Sequence, residues 1–160
     1  MINVMLVDDH TSFRQAIAFL VDREPDLTVV AQAGSVTEAR ALLRDAQVDV
    51  CLLDMHLPDG EGTDVLPDLY RHCPGASAIV LTGSYRPHNR ARSIAAGASG
   101  FLSKASSIPE IVAAVRRAGN GESLIPPQEA VAMMREATQY QARFGAERQA
   151  IQRLTPREKE

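Results

Sequence analysis

Over the first 120 residues, short apolar runs alternate with stretches of helical periodicity. Residues 2–7 (INVMLV), 27–31 (LTVVA), 48–53 (VDVCLL), 78–82 (AIVLT) and 100–102 (GFL) read as strands. The first, third and fourth are almost unbroken apolar runs, the pattern of strands covered by helices on both faces. Between them, Phe13, Ile17, Leu20 and Val21 recur at the spacing of one helix face. Ser35 followed by Glu38 predicts a capping box at the start of a second helix. Ser107 with Glu110 repeats that signal ahead of the stripe Ile111, Val112 and Val115. Five strands alternating with five helices predict an α/β fold, a five-stranded parallel sheet with right-handed crossovers.

After Gly119-Asn120-Gly121 the pattern changes. From Pro126-Pro127 onwards Ala130, Met133, Ala137, Tyr140, Phe144, Ile151 and Leu154 follow at three-, four- or seven-residue spacing, interrupted by Glu147. Residues 121–153 therefore read as a linker helix, either packed on its own domain or used for dimerisation. Residues 154–160 (LTPREKE) read as a new helix start, with Thr155 at the N-cap, Pro156 at N1 and Glu158 completing a capping box.

Composition narrows the class. The chain has 160 residues, 45% of them hydrophobic and 23% charged, as in an ordinary globular protein. No apolar run is long enough to span a membrane, and the N-terminus turns acidic at Asp8, unlike a signal peptide. Two cysteines without a CxxC motif suit a reducing cytoplasm. Of 20 acidic and 17 basic residues, six of each lie beyond residue 120, so the net charge of −3 belongs to the first 120 residues. That balance argues against a nucleic-acid binder that uses its whole surface.

In an open parallel sheet, sites form beyond the carboxyl ends of the strands. Those ends carry Asp8-Asp9, Asp54, Thr82 and, just after the fifth strand, Lys104. Three carboxylates side by side repel one another, and a divalent cation removes that cost; oxygen ligands favour Mg²⁺, which readily shares a phosphate oxygen. A carboxylate is also a nucleophile towards phosphorus. The metal and Lys104 would then offset charge on a transferring phosphoryl group, and the Thr82 hydroxyl would donate to one of its oxygens.

In these residues the chain resembles the receiver domain of two-component response regulators. The resemblance covers about residues 1–120: the acidic pair, Asp54 to Gly62 (DMHLPDGEG), Thr82-Gly83, and Gly97 to Lys104 (GASGFLSK). LTPREKE resembles the opening of a LuxR-type helix-turn-helix, which points to the NarL/FixJ class. The resemblance implies a flavodoxin-like, doubly wound (βα)5 receiver followed by the linker helix. It makes Asp54 the phosphoacceptor, charged by a sensor histidine kinase. Mg²⁺ is held by Asp9, Asp54 and the backbone carbonyl of His56, with Asp8 acting mainly through water. Thr82 and Lys104 grip the phosphoryl oxygens, and Gly83 leaves the site open. Phe101 stands at the aromatic switch position, where the family's usual tyrosine hydroxyl is missing.

The expected function is thus a cytoplasmic, phosphorylation-switched regulator of transcription, dimeric when phosphorylated. It is not an enzyme beyond its own aspartyl phosphorylation and dephosphorylation. Promoter DNA would be bound only by a longer parent, since the helix that enters the major groove is missing from residues 154–160. The alternative is a stand-alone receiver acting through protein contacts. A phosphatase of the haloacid-dehalogenase type is disfavoured because position 56 is His, not Asp. His10, His56, His72 and His88 show no metal-ligand spacing; His10 and His56 flank the site and read as ordinary loop residues, the alternative being that either tunes its access to water; Cys51 reads as a buried small hydrophobe.

Overall fold

A computed structural model of the chain describes residues 1–83 and 86–129, and beyond them residues 131, 132, 135, 138 and 139. In chain order the elements are β1 (Ile2–Val7), α1 (Thr11–Asp22), β2 (Leu27–Ala33), α2 (Val36–Leu43), β3 (Val50–Asp54), β4 (His56–Leu57), β5 (Gly60–Glu61), a 3-10 turn (Gly62–Val65), α3 (Leu66–His72), β6 (Ser77–Thr82), α4 (Pro87–Ala95), β7 (Gly100–Ser103) and α5 (Ile108–Gly119). A further helix begins at Pro127. Most of the expected linker helix, and all of the expected helix-turn-helix start, lie outside the described residues.

Five strands form one parallel sheet in the order β2-β1-β3-β6-β7, while β4 and β5 make a separate antiparallel ribbon. Side chains alternate across the sheet and feed two cores. Val4, Leu6, Leu52 and Ile79 meet Ile17 and Val21 of α1 and Ile111 and Val115 of α5 on one face. Met5, Val7, Leu53 and Val80 meet Leu43 of α2 and Leu66 and Leu69 of α3 on the other. All five residues of β3 are buried, Asp54 among them. Because β1 has β2 on one side and β3 on the other, the winding reverses there, and a crevice opens beyond the carboxyl ends of β1 and β3.

Several boundaries differ from the sequence reading, for local reasons. β2 runs to Ala33 because its register with β1 continues through Leu6↔Gln32 and Val7↔Ala33. β3 starts at Val50, not Val48, since the Asp49 carboxylate turns to accept from the Asn3 amide at 2.8 Å. On α1 the inward positions are Ile17, Ala18 and Val21, and Leu20 is only half-buried. Ser35 caps α2 by accepting from the Glu38 amide, but the reciprocal arm reaches one residue further back: Glu38 accepts from Gly34 N–H at 2.6 Å. Ser107 caps α5 as expected, accepting from the Glu110 amide.

The loop between β4 and β5 is pinned to α2 by one carboxylate. Asp59 accepts from the amides of Val36 (2.8 Å) and Thr37 (2.9 Å) and from the Thr37 hydroxyl (2.7 Å). The Thr37 hydroxyl first, then the two amides at this helix N-terminus, hold the Asp59 carboxyl at about 2, below its ordinary value of 3.8. A depressed carboxyl pKa contributes stability that is whole above the unfolded value and fades as pH falls towards the folded one. The stability lost on Asp59→Ala should therefore be constant above about pH 5 and shrink between about 5 and 1. Urea unfolding of both proteins across that interval is the measurement; a difference independent of pH would refute the cap.

Candidate functional site

The crevice collects the chemistry from four strand ends. Asp8 leaves β1 buried, and its Oδ1 accepts from the His10 amide at 2.8 Å, while Arg14 donates to the Asp8 carbonyl at 2.6 Å. These contacts fix the turn that starts α1. Asp54 ends β3 with only 5% of its surface exposed. Thr82 ends β6 and is buried, and Gly83 beside it faces open space, where even a Cβ would meet nothing within 4 Å. Lys104 follows β7, its backbone amide donating to the Thr82 carbonyl at 2.8 Å.

Lys104 crosses the crevice. Its Nζ lies 2.7 Å from Asp8 Oδ2 and 3.1 Å from Asp54 Oδ2, and 4.8 Å from the centre of the Phe13 ring. Burial pushes the ammonium pKa down, but the hydrogen bonds to Asp8 and Asp54, with their charges, outweigh it and raise the pKa above 10.5. Two buried carboxylates are thereby held beside one cation that is itself mostly buried. An open cleft of about 760 Å³ lies above them, lined by Asp9, Asp54, Thr82, Gly83 and Lys104, with His10, His56 and Phe13 at its walls.

The residues expected at the site thus converge. Asp8, Asp9 and Asp54 each present a carboxylate oxygen, and His10 a ring nitrogen, all within 4.8 Å of one another. Three anionic oxygens at this spacing are a donor set suited to a hard divalent cation. Asp8 lies deeper than Asp9, and its second oxygen is taken by Lys104. His56 is exposed at the cleft, its amide a long 3.5 Å from Asp54 Oδ1. Phe101 is buried in the core shared with α2 and α3, paired in register with Val80, two residues before Thr82. His72 and His88 lie on α3 and α4 and do not line the cleft. Cys51 and Cys73 are both buried and unbridged, and burial pushes the Cys51 thiol up to about 12, far from a reactive thiolate.

Three contributors were not expected. His10, read as a loop residue, turns its Nδ1 into the carboxylate cluster. Phe13, read only as part of a helix stripe, underlies Lys104. Gly62 closes a contact no sequence pattern announces: a Cβ there would stand 1.9 Å from the Asp54 carbonyl oxygen and 2.5 Å from Leu53 Cδ1. The chain after the crevice must pass flat against the residue the site is built on. A second tie holds this segment from outside, where Arg92 of α4 pairs with Glu61.

Comparison with known proteins agrees with this architecture. Residues 4–116 match the response regulator receiver domain family. The chain is 39% identical over 134 residues to the DNA-binding transcriptional activator DevR/DosR of Mycobacterium tuberculosis, covering 84% of this chain and 62% of that one. It is 41% identical over 131 residues to the transcriptional regulatory protein UhpA of Salmonella typhimurium, covering 82% and 65%. The chain thus spans less than two thirds of the length of these two relatives. Among solved structures, the signal receiver domain of the putative response regulator NarL from Mycobacterium tuberculosis superposes with a TM-score of 0.71 at 27% identity, over 76% of this chain and 98% of that one. A LuxR-family two-component response regulator from Aurantimonas superposes with a TM-score of 0.72 at 29% identity, over 85% and 97%. The chain belongs to the response regulator receiver domain family, and its relatives are regulators of the NarL/LuxR type.

Proposed function

We propose that this receiver accepts a phosphoryl group on Asp54 from the phosphohistidine of a sensor kinase, and that the modified domain governs a transcriptional output. The observation that carries the reading is the buried Asp54 carboxylate at the β3 end, with Lys104 Nζ 3.1 Å away and Thr82 on the neighbouring strand lining the same cleft. An Asp54 oxygen attacks phosphorus, the phosphorus–nitrogen bond of the donor breaks, and its imidazole leaves with the bonding pair. Lys104 and the Thr82 hydroxyl hold the charge on the phosphoryl oxygens. Asp9, Asp54 and the His56 carbonyl, with Asp8 behind them, are the residues that would hold Mg²⁺. That ion supplies charge neutralisation of the transferring group.

Thr82 and Phe101 are the proposed switch: as Thr82 moves towards the phosphoryl group, the Phe101 ring fills the space it leaves. Lacking a hydroxyl, Phe101 works by packing alone. Dimerisation on phosphorylation, a cytoplasmic setting and an output at promoter DNA complete the proposal. The names of DevR/DosR and UhpA as transcriptional proteins support the output, and no helix among the described residues is long and apolar enough to cross a membrane.

The test is direct. Incubated with Mg²⁺ and a small acyl phosphate, the chain should gain one phosphoryl group that is lost in base, as an acyl phosphate is, and peptide mapping should find it on Asp54. A phosphoryl group on any other residue, or none, would overturn the assignment.

A further inference from the structure

His10 takes part in the site more closely than its place in the chain suggests. Its Nδ1 lies 3.1 Å from Asp8 Oδ1, 3.3 Å from Asp9 Oδ1 and 3.6 Å from Asp54 Oδ2. Two atoms bound to one ion at about 2.1 Å stand about 3.0 Å apart at neighbouring octahedral corners and about 3.4 Å apart at tetrahedral ones. The separations around Nδ1 fall in or near that range. The same nitrogen is 3.1 Å from Lys104 Nζ, as it is from Asp8 Oδ1, so it faces a cation and an anion at equal distance and the ring tautomer decides which it serves. With the ring proton on Nε2, Nδ1 keeps a lone pair for the cation. The turn holds the ring in place, because the His10 amide is bound to Asp8 Oδ1 and its carbonyl accepts from the Arg14 amide.

We propose that His10 is a direct ligand, through Nδ1, to the divalent cation of this site, and that it tilts the site from Mg²⁺ towards ions that accept imidazole nitrogen. The proposal rests on the reading above, in which Asp9 and Asp54 are the carboxylate ligands and Asp8 stands behind them. Mg²⁺ prefers oxygen donors and keeps its waters, so an imidazole adds little to its binding. Co²⁺, Ni²⁺ and Zn²⁺ bind imidazole well, so for them the same nitrogen is a full ligand. His10 thereby makes the choice of ion a property of this turn, without altering the carboxylates that any divalent ion would use.

The test compares two ions on the whole, untagged chain. Co²⁺ is followed by its visible absorption, which reports nitrogen ligation, and Mg²⁺ by titration calorimetry. His10→Ala should weaken Co²⁺ binding at least about tenfold, about 1.4 kcal/mol, and leave Mg²⁺ within about threefold. His72→Ala, on the far helix, should alter neither. With its side chain 67% exposed, His10 is replaceable without unfolding the domain. Equal losses for both ions, no loss of Co²⁺ affinity, or a gain in Mg²⁺ affinity would each overturn the proposal; the last would mean that the ring merely occupies the cation's place. Asp9→Ala separates the two levels of the reading. If it weakens both ions while His10→Ala weakens neither, only the histidine ligand is lost; if it weakens neither, the carboxylate site itself is wrong.

Discussion

Gly62→Ala should cost the domain about 3 kcal/mol or more, at the upper end of what overpacking does in a close-packed interior. The added methyl would stand 1.9 Å from the Asp54 carbonyl oxygen and 3.0 Å from its carbon, and that backbone belongs to the central strand of the sheet. Neither side can yield cheaply, since β3 is paired on both edges and buried throughout. Two neighbouring glycines supply the scale. At Gly60 the nearest atom to a Cβ is Asp64 Oδ2 at 2.8 Å, the end of a side chain held by one hydrogen bond from the Glu61 amide, so the cost is smaller than against backbone. At Gly83 there is nothing within 4 Å, and the cost should stay within about 0.5 kcal/mol. Urea unfolding of the three alanine variants should rank them in that order. A Gly62→Ala midpoint close to that of Gly83→Ala would show that the segment does not press against the site.

Lys104→Ala is expected to lose about 3 kcal/mol of stability in EDTA and to regain most of it in Mg²⁺. Removing one partner of a buried ion pair leaves an uncompensated charge, which typically costs that much. Here two carboxylates are left, Asp8 and Asp54, each 5% exposed. A divalent cation compensates them in the variant, whereas in the parent Lys104 already does part of that work. Mg²⁺ should therefore raise the unfolding midpoint of the variant more than that of the parent. The lysine's pKa is raised above 10.5, so its contribution is whole below that pH and lost only as pH climbs past it. Measurement at pH 7 consequently reads it in full. An equal response of both proteins to Mg²⁺ would contradict the role of Lys104 as an internal counter-charge.

How far the sequence revealed this molecule depends on the range of the interaction concerned. The parallel strands were legible because burial on both faces leaves unbroken apolar runs such as INVMLV, and their ends then located Asp8, Asp54, Thr82 and Lys104. Ser35 and Ser107 were legible because a cap acts within one turn. The ribbon of β4 and β5 was not, since two residues per strand carry no periodicity. Phe13 stayed hidden because its importance comes from Lys104, 91 residues away in the chain, whereas His10 was placed beside the site but the aim of its Nδ1 into the carboxylates was not legible. Gly62 was visible only as part of a motif; that it abuts a carbonyl is a fact of the tertiary structure. Every residue of the stripe from Ala130 to Leu154 lies outside the described residues.

The position of β7 in the sheet has a dynamic consequence. It lies at an edge and is joined to its single neighbour through four register pairs, from Ile79↔Gly100 to Thr82↔Ser103, whereas the other edge strand, β2, has six. Local opening takes the least free energy where the fewest bonds must be released, and an edge strand can detach while β2, β1, β3 and β6 stay paired. On the strand that carries Phe101 and delivers Lys104, release is opposed less by ladder bonds than by the buried Phe101 ring and the Lys104 ion pairs. Loosening the sheet should therefore begin at this edge, and the amides of β7 should exchange with solvent sooner than those of β1 and β3, which hold Asp8 and Asp54.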